Sequence, residues 1–208
     1  MLWCRKLRGE MLDQTKIPDD SAMKDLEEGT VEQPISRVRP LVVLVGPPGA
    51  GKTTVGKRLA NALHTTFVDT DVLIEQSAGQ PCGVIFSQMG EPEFRKLEED
   101  KVREALGTSG VVSLGGGAVL SPLTRSLLLG HTVIWIDVNP EEGAKRTGAD
   151  NSRPILQSQD PIAHYRELVE SRRSLYREVS RHRSNTTGRG PQRVVADILG
   201  YLESIKEH

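Results

Sequence analysis

The chain has few cysteines, no long apolar run and no surplus of charge of either sign. Its two cysteines, Cys4 and Cys82, form no metal-ligand spacing. They are too few for a disulfide framework, so a reducing cytosol is the expected compartment. No apolar stretch approaches the ~18 residues of a spanning helix, so no membrane partner is expected. Lys and Arg number 27 against 28 Asp and Glu, a net charge of −1. That balance excludes a strong global field for nucleic acid or an anionic membrane. No apolar segment follows the basic start, so residues 1–39 do not read as a signal peptide. Internal repeats and low-complexity tracts are also missing.

What is present divides at Pro40. Residues 1–39 carry seven basic and eight acidic side chains with no sustained apolar period. Such a segment buries too little surface to offset its ordering entropy, and a disordered tail is expected. The functional alternative is a regulatory or partner-binding arm. Residues 40–208 form the expected domain, of ordinary single-domain length. Leu41–Val45 is a continuous apolar run ending in glycine, as in strands buried on both faces of a parallel sheet. Short strands are predicted at Thr66–Val68, Val111–Leu114 and Thr132–Ile136, with a polar fifth near Arg183–Thr187. Helices are predicted over Gly51–Leu63, Glu91–Leu106, Pro140–Arg146, Pro161–Val179 and Pro191–Leu202. This alternation predicts an α/β domain with a mostly parallel sheet.

Between the first strand and first helix lies Gly46-Pro-Pro-Gly-Ala-Gly-Lys52-Thr53. It fits the phosphate-loop template in the strand-to-helix context that template requires. Glycines let the backbone N–H groups turn inward, and the helix adds its positive end. Lys52 is expected on the β- and γ-phosphates, and the Thr53 hydroxyl on Mg²⁺. The chain therefore reads as a nucleoside-triphosphate user.

Three features point to the phosphate acceptor. Phe67-Val-Asp69-Thr-Asp71 ends the second strand, where ligands bind on open α/β sheets. Two carboxylates at i and i+2 suit a division between metal and hydroxyl, although Asp and Thr are equally good helix caps. Ser113-Leu-Gly115-Gly116-Gly117 follows the third strand and strips side chains from a possible ligand approach, or makes an ordinary turn. Arg95 and Arg172 are the arginines of interest, while Arg166, Arg173, Arg177, Arg181 and Arg183 read as solvated or lid-facing. Interleaved Glu167, Glu170 and Glu178, with only Tyr165 and Tyr176 for stacking, argue against nucleic acid. A polar stretch of about 147–160, containing Arg153-Pro154, is long enough for a lid that keeps water from the γ-phosphate.

Taken in order, Gly46–Thr53, Asp69-Thr-Asp71, Phe94-Arg95, Gly115–Gly117, Arg153-Pro154 and Arg172-xxx-Tyr176 resemble the shikimate kinase family, over about Leu41–Leu202. The resemblance implies a P-loop fold of the nucleoside monophosphate kinase type. It has a five-stranded parallel sheet, flanking helices, a substrate-binding region at about 70–107 and a lid. It implies transfer of the ATP γ-phosphate to the 3-hydroxyl of shikimate by a cytoplasmic monomer, toward chorismate and the aromatic amino acids. It further implies that Gly49, Ala50, Gly51, Lys52, Thr53 and Thr54 bind the ATP phosphates, with Arg153 on them from the lid. Thr53 and, through water, Asp69 would hold Mg²⁺. Asp71 would contact the shikimate hydroxyls and act as base. Arg95 and Arg172 would grip its carboxylate, with Gly116 and its neighbours Gly115 and Gly117 alongside. Arg146, Arg189 and Pro191 would frame the adenine. A carboxylate with vicinal hydroxyls suits such an arginine pair and aspartate, and Phe86 and Phe94 are expected along the ring's apolar side. The competing readings are a gluconate or nucleotide kinase of the same fold, and a catalytically silent ATP-binding module. Lys52, Thr53, Asp69, Asp71, Arg95, Arg153 and Arg172 are all present, which disfavours the silent module.

Overall fold

The structure, a computed structural model, describes residues 39–148 and 160–207. The expected tail, up to residue 38, and Arg153 with most of the expected lid lie outside the described residues. Among the described residues, five strands form one all-parallel sheet in the order β2-β3-β1-β4-β5. The strands are β1 Pro40–Val45, β2 Phe67–Asp69, β3 Gly110–Ser113, β4 Val133–Asp137 and β5 His182–Asn185. The helices are α1 Lys52–Ala62, α2 Thr70–Ala78, α3 Cys82–Leu106, α4 Pro122–Leu127, α5 Pro140–Gly148, α6 Pro161–Val179 and α7 Pro191–Ser204. No described helix is long and apolar enough to cross a membrane.

The period-2 alternation of each strand sorts the core into two layers. Val42, Leu44, Val111, Ile134 and Ile136 pack against α1, α7 and the first half of α6. Val43, Val45, Val112, Val133 and Trp135 face the other way, against α3, the 3₁₀ turn Ala118–Leu120 and Tyr176 of α6. Each such side chain, fully withdrawn from water, contributes about 1.5–3 kcal/mol. With both faces covered, the central strands are near-continuous runs of apolar residues, which is why they were legible.

The fifth strand forms despite its polarity, one residue earlier than expected. It lies at the sheet edge, and its polar side chains find partners on α7 and β4. Ser184 is fully buried and donates to Asp197 of α7 at 2.5 Å. The His182 ring stacks on Tyr201 with centroids 4.5 Å apart. Arg183 is exposed, as expected of a solvated charge, and also makes contacts along one face. Its guanidinium stacks on Trp135 at 4.6 Å and pairs with Asp137, so a delocalised cation covers an aromatic face.

Two helices, α2 and α4, and the first half of α3 escaped the sequence reading. α2 starts directly at the end of β2, and α3 begins nine residues before the predicted Glu91. α3 is broken at Gly90 (φ 78°), just before Pro92. The proline lacks a donor N–H, so the break falls where helical continuation is weakest. The second half, from residue 91, matches the predicted helix. The first half and α2 surround a small satellite core of Ile74, Ile85 and Phe94 at the sheet's β2 side.

Candidate active site

The phosphate loop begins where the chain leaves β1 close against β4. A Cβ on Gly46 would lie 2.0 Å from the Ile136 carbonyl oxygen of β4, and φ there is 146°, so only glycine fits. From this point the loop's carbonyls each meet a donor. Lys52 Nζ donates to the carbonyls of Gly46 (2.8 Å) and Pro47 (3.0 Å). The Tyr165 hydroxyl donates to Pro48 O at 2.6 Å, Arg146 Nη1 to Gly49 O at 3.4 Å, and Thr186 Oγ1 to Ala50 O at 3.1 Å. The Ala50 N–H donates to Pro47 O at 3.3 Å, and the loop's other N–H groups are placed for an anion nest at the start of α1.

Asp69 and Asp71 do not share a strand end as the i, i+2 spacing suggested. Asp69 closes β2 and caps α2, its Oδ1 accepting from Asp71 N at 3.1 Å. Its other oxygen accepts the Thr53 hydroxyl at 2.8 Å. Asp71 lies in the first helical turn of α2. The cap reading and the site reading of Asp69 thus hold together, one for each oxygen. Thr53 Oγ1 and Asp69 offer a small set of hard oxygen donors beside the phosphate loop. That set suits Mg²⁺, which keeps most of its waters and takes few protein ligands.

Along the carboxyl edge of the sheet three cavities run into one another. The middle one is lined by Gly49, Gly51, Lys52, Thr53, Thr54 and Asp69. It shares Pro48, Asp71 and Thr147 with a cavity toward α3 and α6. On the other side it shares Gly51, Thr54 and Arg146 with a cavity lined by Ala50, Thr186, Arg189 and Pro191. The three expected adenine residues, Arg146, Arg189 and Pro191, are therefore together. Arg189 Nη1 and Nη2 donate to the carbonyls of Asn185 and Arg193, both at 3.2 Å.

The cavity between α3 and α6 brings Asp71, Arg95, Arg172, Gly116, Gly117, Phe86 and Phe94 together. The two phenyl rings meet edge to face, 5.3 Å between centroids, and form an apolar wall. Arg172 Nη1 donates to Gly116 O at 3.1 Å, and the buried Tyr176 hydroxyl donates to the same carbonyl at 2.7 Å. Burial pushes the Tyr176 pKa up to about 12, so the hydroxyl remains a donor. A Cβ on Gly117 would lie 2.4 Å from Arg95 Nη1, so the missing side chain makes room for the guanidinium. Gly115 does not line this cavity, and its N–H donates to Thr70 Oγ1 at 2.9 Å.

Glu98 is the residue that sequence reading missed. It is 3 % exposed and accepts Arg95 Nη1 at 2.6 Å. Burial raises its pKa, Arg95 opposes that rise, Asp71 adds to it and Arg172 opposes it. One buried carboxylate therefore senses all three charged groups of the cavity. Its signal was the i, i+3 spacing from Arg95, which on a charged helix is indistinguishable from a surface pair. Glu91 completes the hold on Arg95, accepting Nη2 at 3.0 Å.

A triphosphate cradle on an all-parallel sheet, opening into a chamber with two arginines, a carboxylate and an apolar wall, is the arrangement of a P-loop kinase for a small anionic acceptor. The family profile described as shikimate kinase matches residues 48–203. A shikimate kinase from Corynebacterium diphtheriae is 56 % identical over 170 residues, 82 % of this chain and 98 % of that protein. One from Corynebacterium efficiens is 58 % identical over 165 residues, 79 % of this chain and 98 % of that protein. Among solved structures, a shikimate kinase from Acinetobacter baumannii in complex with shikimate superposes with a TM-score of 0.76. It is 34 % identical, and the match covers 81 % of this chain and 95 % of that one. The chain belongs to the shikimate kinase family.

Proposed function

We propose that the chain transfers the γ-phosphoryl group of ATP to the 3-hydroxyl of shikimate, giving shikimate 3-phosphate and ADP, a step toward chorismate and the aromatic amino acids. The observation that carries this is the chamber beside the phosphate loop. There Asp71, Arg95 and Arg172 line one cavity together with the rings of Phe86 and Phe94. A ring bearing one carboxylate and vicinal hydroxyls matches that distribution of charge, hydrogen bonding and apolar surface.

In this reading the loop N–H groups from Gly49 to Thr54 hold the donor phosphates and Lys52 neutralises their charge. Arg146, Arg189 and Pro191 frame the adenine, and Arg95 and Arg172 fix the acceptor carboxylate. Asp71 orients the 3-hydroxyl and accepts its proton as the new O–P bond forms and the β,γ-bridging P–O bond breaks, the electron pair leaving with ADP. Because the transition state is loose, positioning counts for more than strong basicity. Thr53 and Asp69 would hold Mg²⁺, which supplies charge neutralisation on the β- and γ-phosphates when bound. Arg153, outside the described residues, is assigned to the transferring phosphoryl group from the lid. The balanced charge of the chain supports work without nucleic acid or membrane, and we assign it to the cytoplasm as a monomer.

A coupled ADP-release assay with ATP and Mg²⁺ tests the assignment against shikimate, gluconate and nucleoside monophosphates. Turnover with shikimate alone is expected. Faster turnover with gluconate or a nucleotide would overturn it.

A further inference from the structure

We propose that Tyr165 is a positioning residue that fixes the phosphate loop to the same helix that carries the acceptor-side contacts, so that α6 sets donor against acceptor. The proposal rests on the kinase reading above and adds a residue that reading leaves without a role.

Tyr165, Arg172 and Tyr176 stand at i, i+7 and i+11 on α6. At about 100° per residue Arg172 and Tyr176 fall about 20° to either side of Tyr165, so all three lie within about 40° on one stripe of the helix. All three reach backbone carbonyls of glycine-rich loops. The Tyr165 hydroxyl donates to Pro48 O in the phosphate loop at 2.6 Å. Arg172 and the Tyr176 hydroxyl donate to Gly116 O in the loop after β3. The two loops are themselves in contact, since a Cβ on Gly116 would lie 2.7 Å from Pro48 Cδ. One rigid element thus holds two touching loops, one belonging to the donor and one to the acceptor.

The carbonyl that Tyr165 takes is a sensitive one. Pro47 and Pro48 bring no N–H of their own, so this part of the loop is shaped by what its carbonyls meet. The other carbonyls from Gly46 to Ala50 are held from α1 itself, from α5 or from the segment after β5. Among these contacts only Tyr165 ties the loop to the helix bearing Arg172. The ring is fully buried and fills the space over Gly143 of α5, where a Cβ would lie 2.4 Å from Tyr165 Cζ. Burial raises the hydroxyl pKa far above its ordinary value, so it stays a donor throughout the working pH range.

Tyr165→Phe keeps the ring and removes only the hydroxyl. The expected result is a split. Affinity for a non-hydrolysable ATP analogue with Mg²⁺ weakens about fivefold and kcat falls about tenfold, because a freed carbonyl loosens the loop. The KM for shikimate stays within about twofold and the melting midpoint within a few degrees. Wild-type kcat and analogue affinity in the variant would overturn the proposal. So would a loss that falls equally on both ligands together with a large drop in melting midpoint, which is the mark of a merely structural side chain. A second measurement uses the unaltered protein, should the variant not fold. Saturation with shikimate alone is expected to slow hydrogen exchange of the amides from Gly49 to Thr54, and unchanged exchange there would overturn the tie. If the unaltered protein releases no ADP with shikimate, the kinase assignment fails. The analogue affinity of Tyr165→Phe against wild type still decides the tie.

Discussion

The carboxylates of Asp71 and Glu98 converge on the space left by the missing side chain of Gly115. A Cβ there would lie 2.6 Å from Asp71 Oδ1 and 2.7 Å from Glu98 Oε1. Two anions so placed disfavour each other, and the guanidinium of Arg95 on Glu98 offsets that cost. Asp71 belongs to α2, Glu98 and Arg95 to α3, and Gly115 to the turn after β3. The charge balance of the chamber is therefore assembled from three elements distant in sequence.

Glu98→Gln keeps the shape and removes the charge that orients Arg95. Shikimate affinity is expected to fall about tenfold, the equivalent of ~1.4 kcal/mol, with ATP affinity unchanged. Calorimetric titration with each ligand checks it, and an equal loss for ATP would assign Glu98 to general folding rather than to the chamber.

Arg95→Ala and Arg172→Ala test the carboxylate grip directly. Each is expected to weaken shikimate binding by about 2–3 kcal/mol while leaving the ATP analogue within a factor of two. Arg95→Ala also strands the buried Glu98, so it should lower the melting midpoint more than Arg172→Ala does. The opposite order of midpoints would show that Glu98 does not depend on Arg95.

The two aspartates should fail differently. Asn is as good a helix cap as Asp, so Asp69→Asn should preserve the fold and raise the Mg²⁺ concentration needed for half-maximal rate. Asp69→Ala should do the same and in addition lose about 1 kcal/mol of stability through the missing cap. Asp71→Asn should leave binding of the ATP analogue with Mg²⁺ intact and lower kcat by ~10²-fold, the lower end for a positioned base. Steady-state kinetics across a Mg²⁺ series separates them. Identical Mg²⁺ shifts in Asp69→Asn and Asp71→Asn would mean one acidic site without division of labour.

Asp197 gives the protein an acid-sensitive contact between β5 and α7. Partial burial pushes its pKa up, but the hydrogen bonds of Ser184 and His182 and the charges of His182 and Arg189 outweigh it and leave it below its ordinary 3.8. A depressed folded-state pKa stabilises above the unfolded value and loses that contribution as pH falls through the folded one. Asp197→Asn should therefore melt slightly below wild type at pH 7, by about 0.5 kcal/mol for so exposed a group. The gap should close as pH drops below 3.8. Melting midpoints across pH 3–7 check it, and a gap that widens in acid would reverse the assigned sign.

The phosphate loop was legible because its chemistry is local. Glycines, lysine and threonine at fixed offsets between a buried strand and a helix specify the nest without help from distant residues. The central strands were legible because burial on both faces writes itself as a run of apolar residues. α2 and the first half of α3 were not, because their apolar positions (Ile74, Ile85) serve a three-residue satellite core and leave little period to read. The polar β5 was readable only as an expectation, since its stability comes from partners such as Asp197, Tyr201 and Trp135 that no local window contains.

The sequence by itself determined the fold class, the triphosphate cradle and, through an ordered set of motifs, the family, since all of these rest on residue type at short spacing. Tertiary structure decided how those motifs act on one another. It brought the second oxygen of the α2 cap Asp69 to Thr53 of α1, and set Glu98, already paired with Arg95 within α3, beside Asp71 of α2. It also hung both glycine-rich loops on the Tyr165–Tyr176 stripe of α6. Such pairings are set by strand order and helix packing, which place residues dozens of positions apart within hydrogen-bonding reach, and a linear pattern carries no record of those distances.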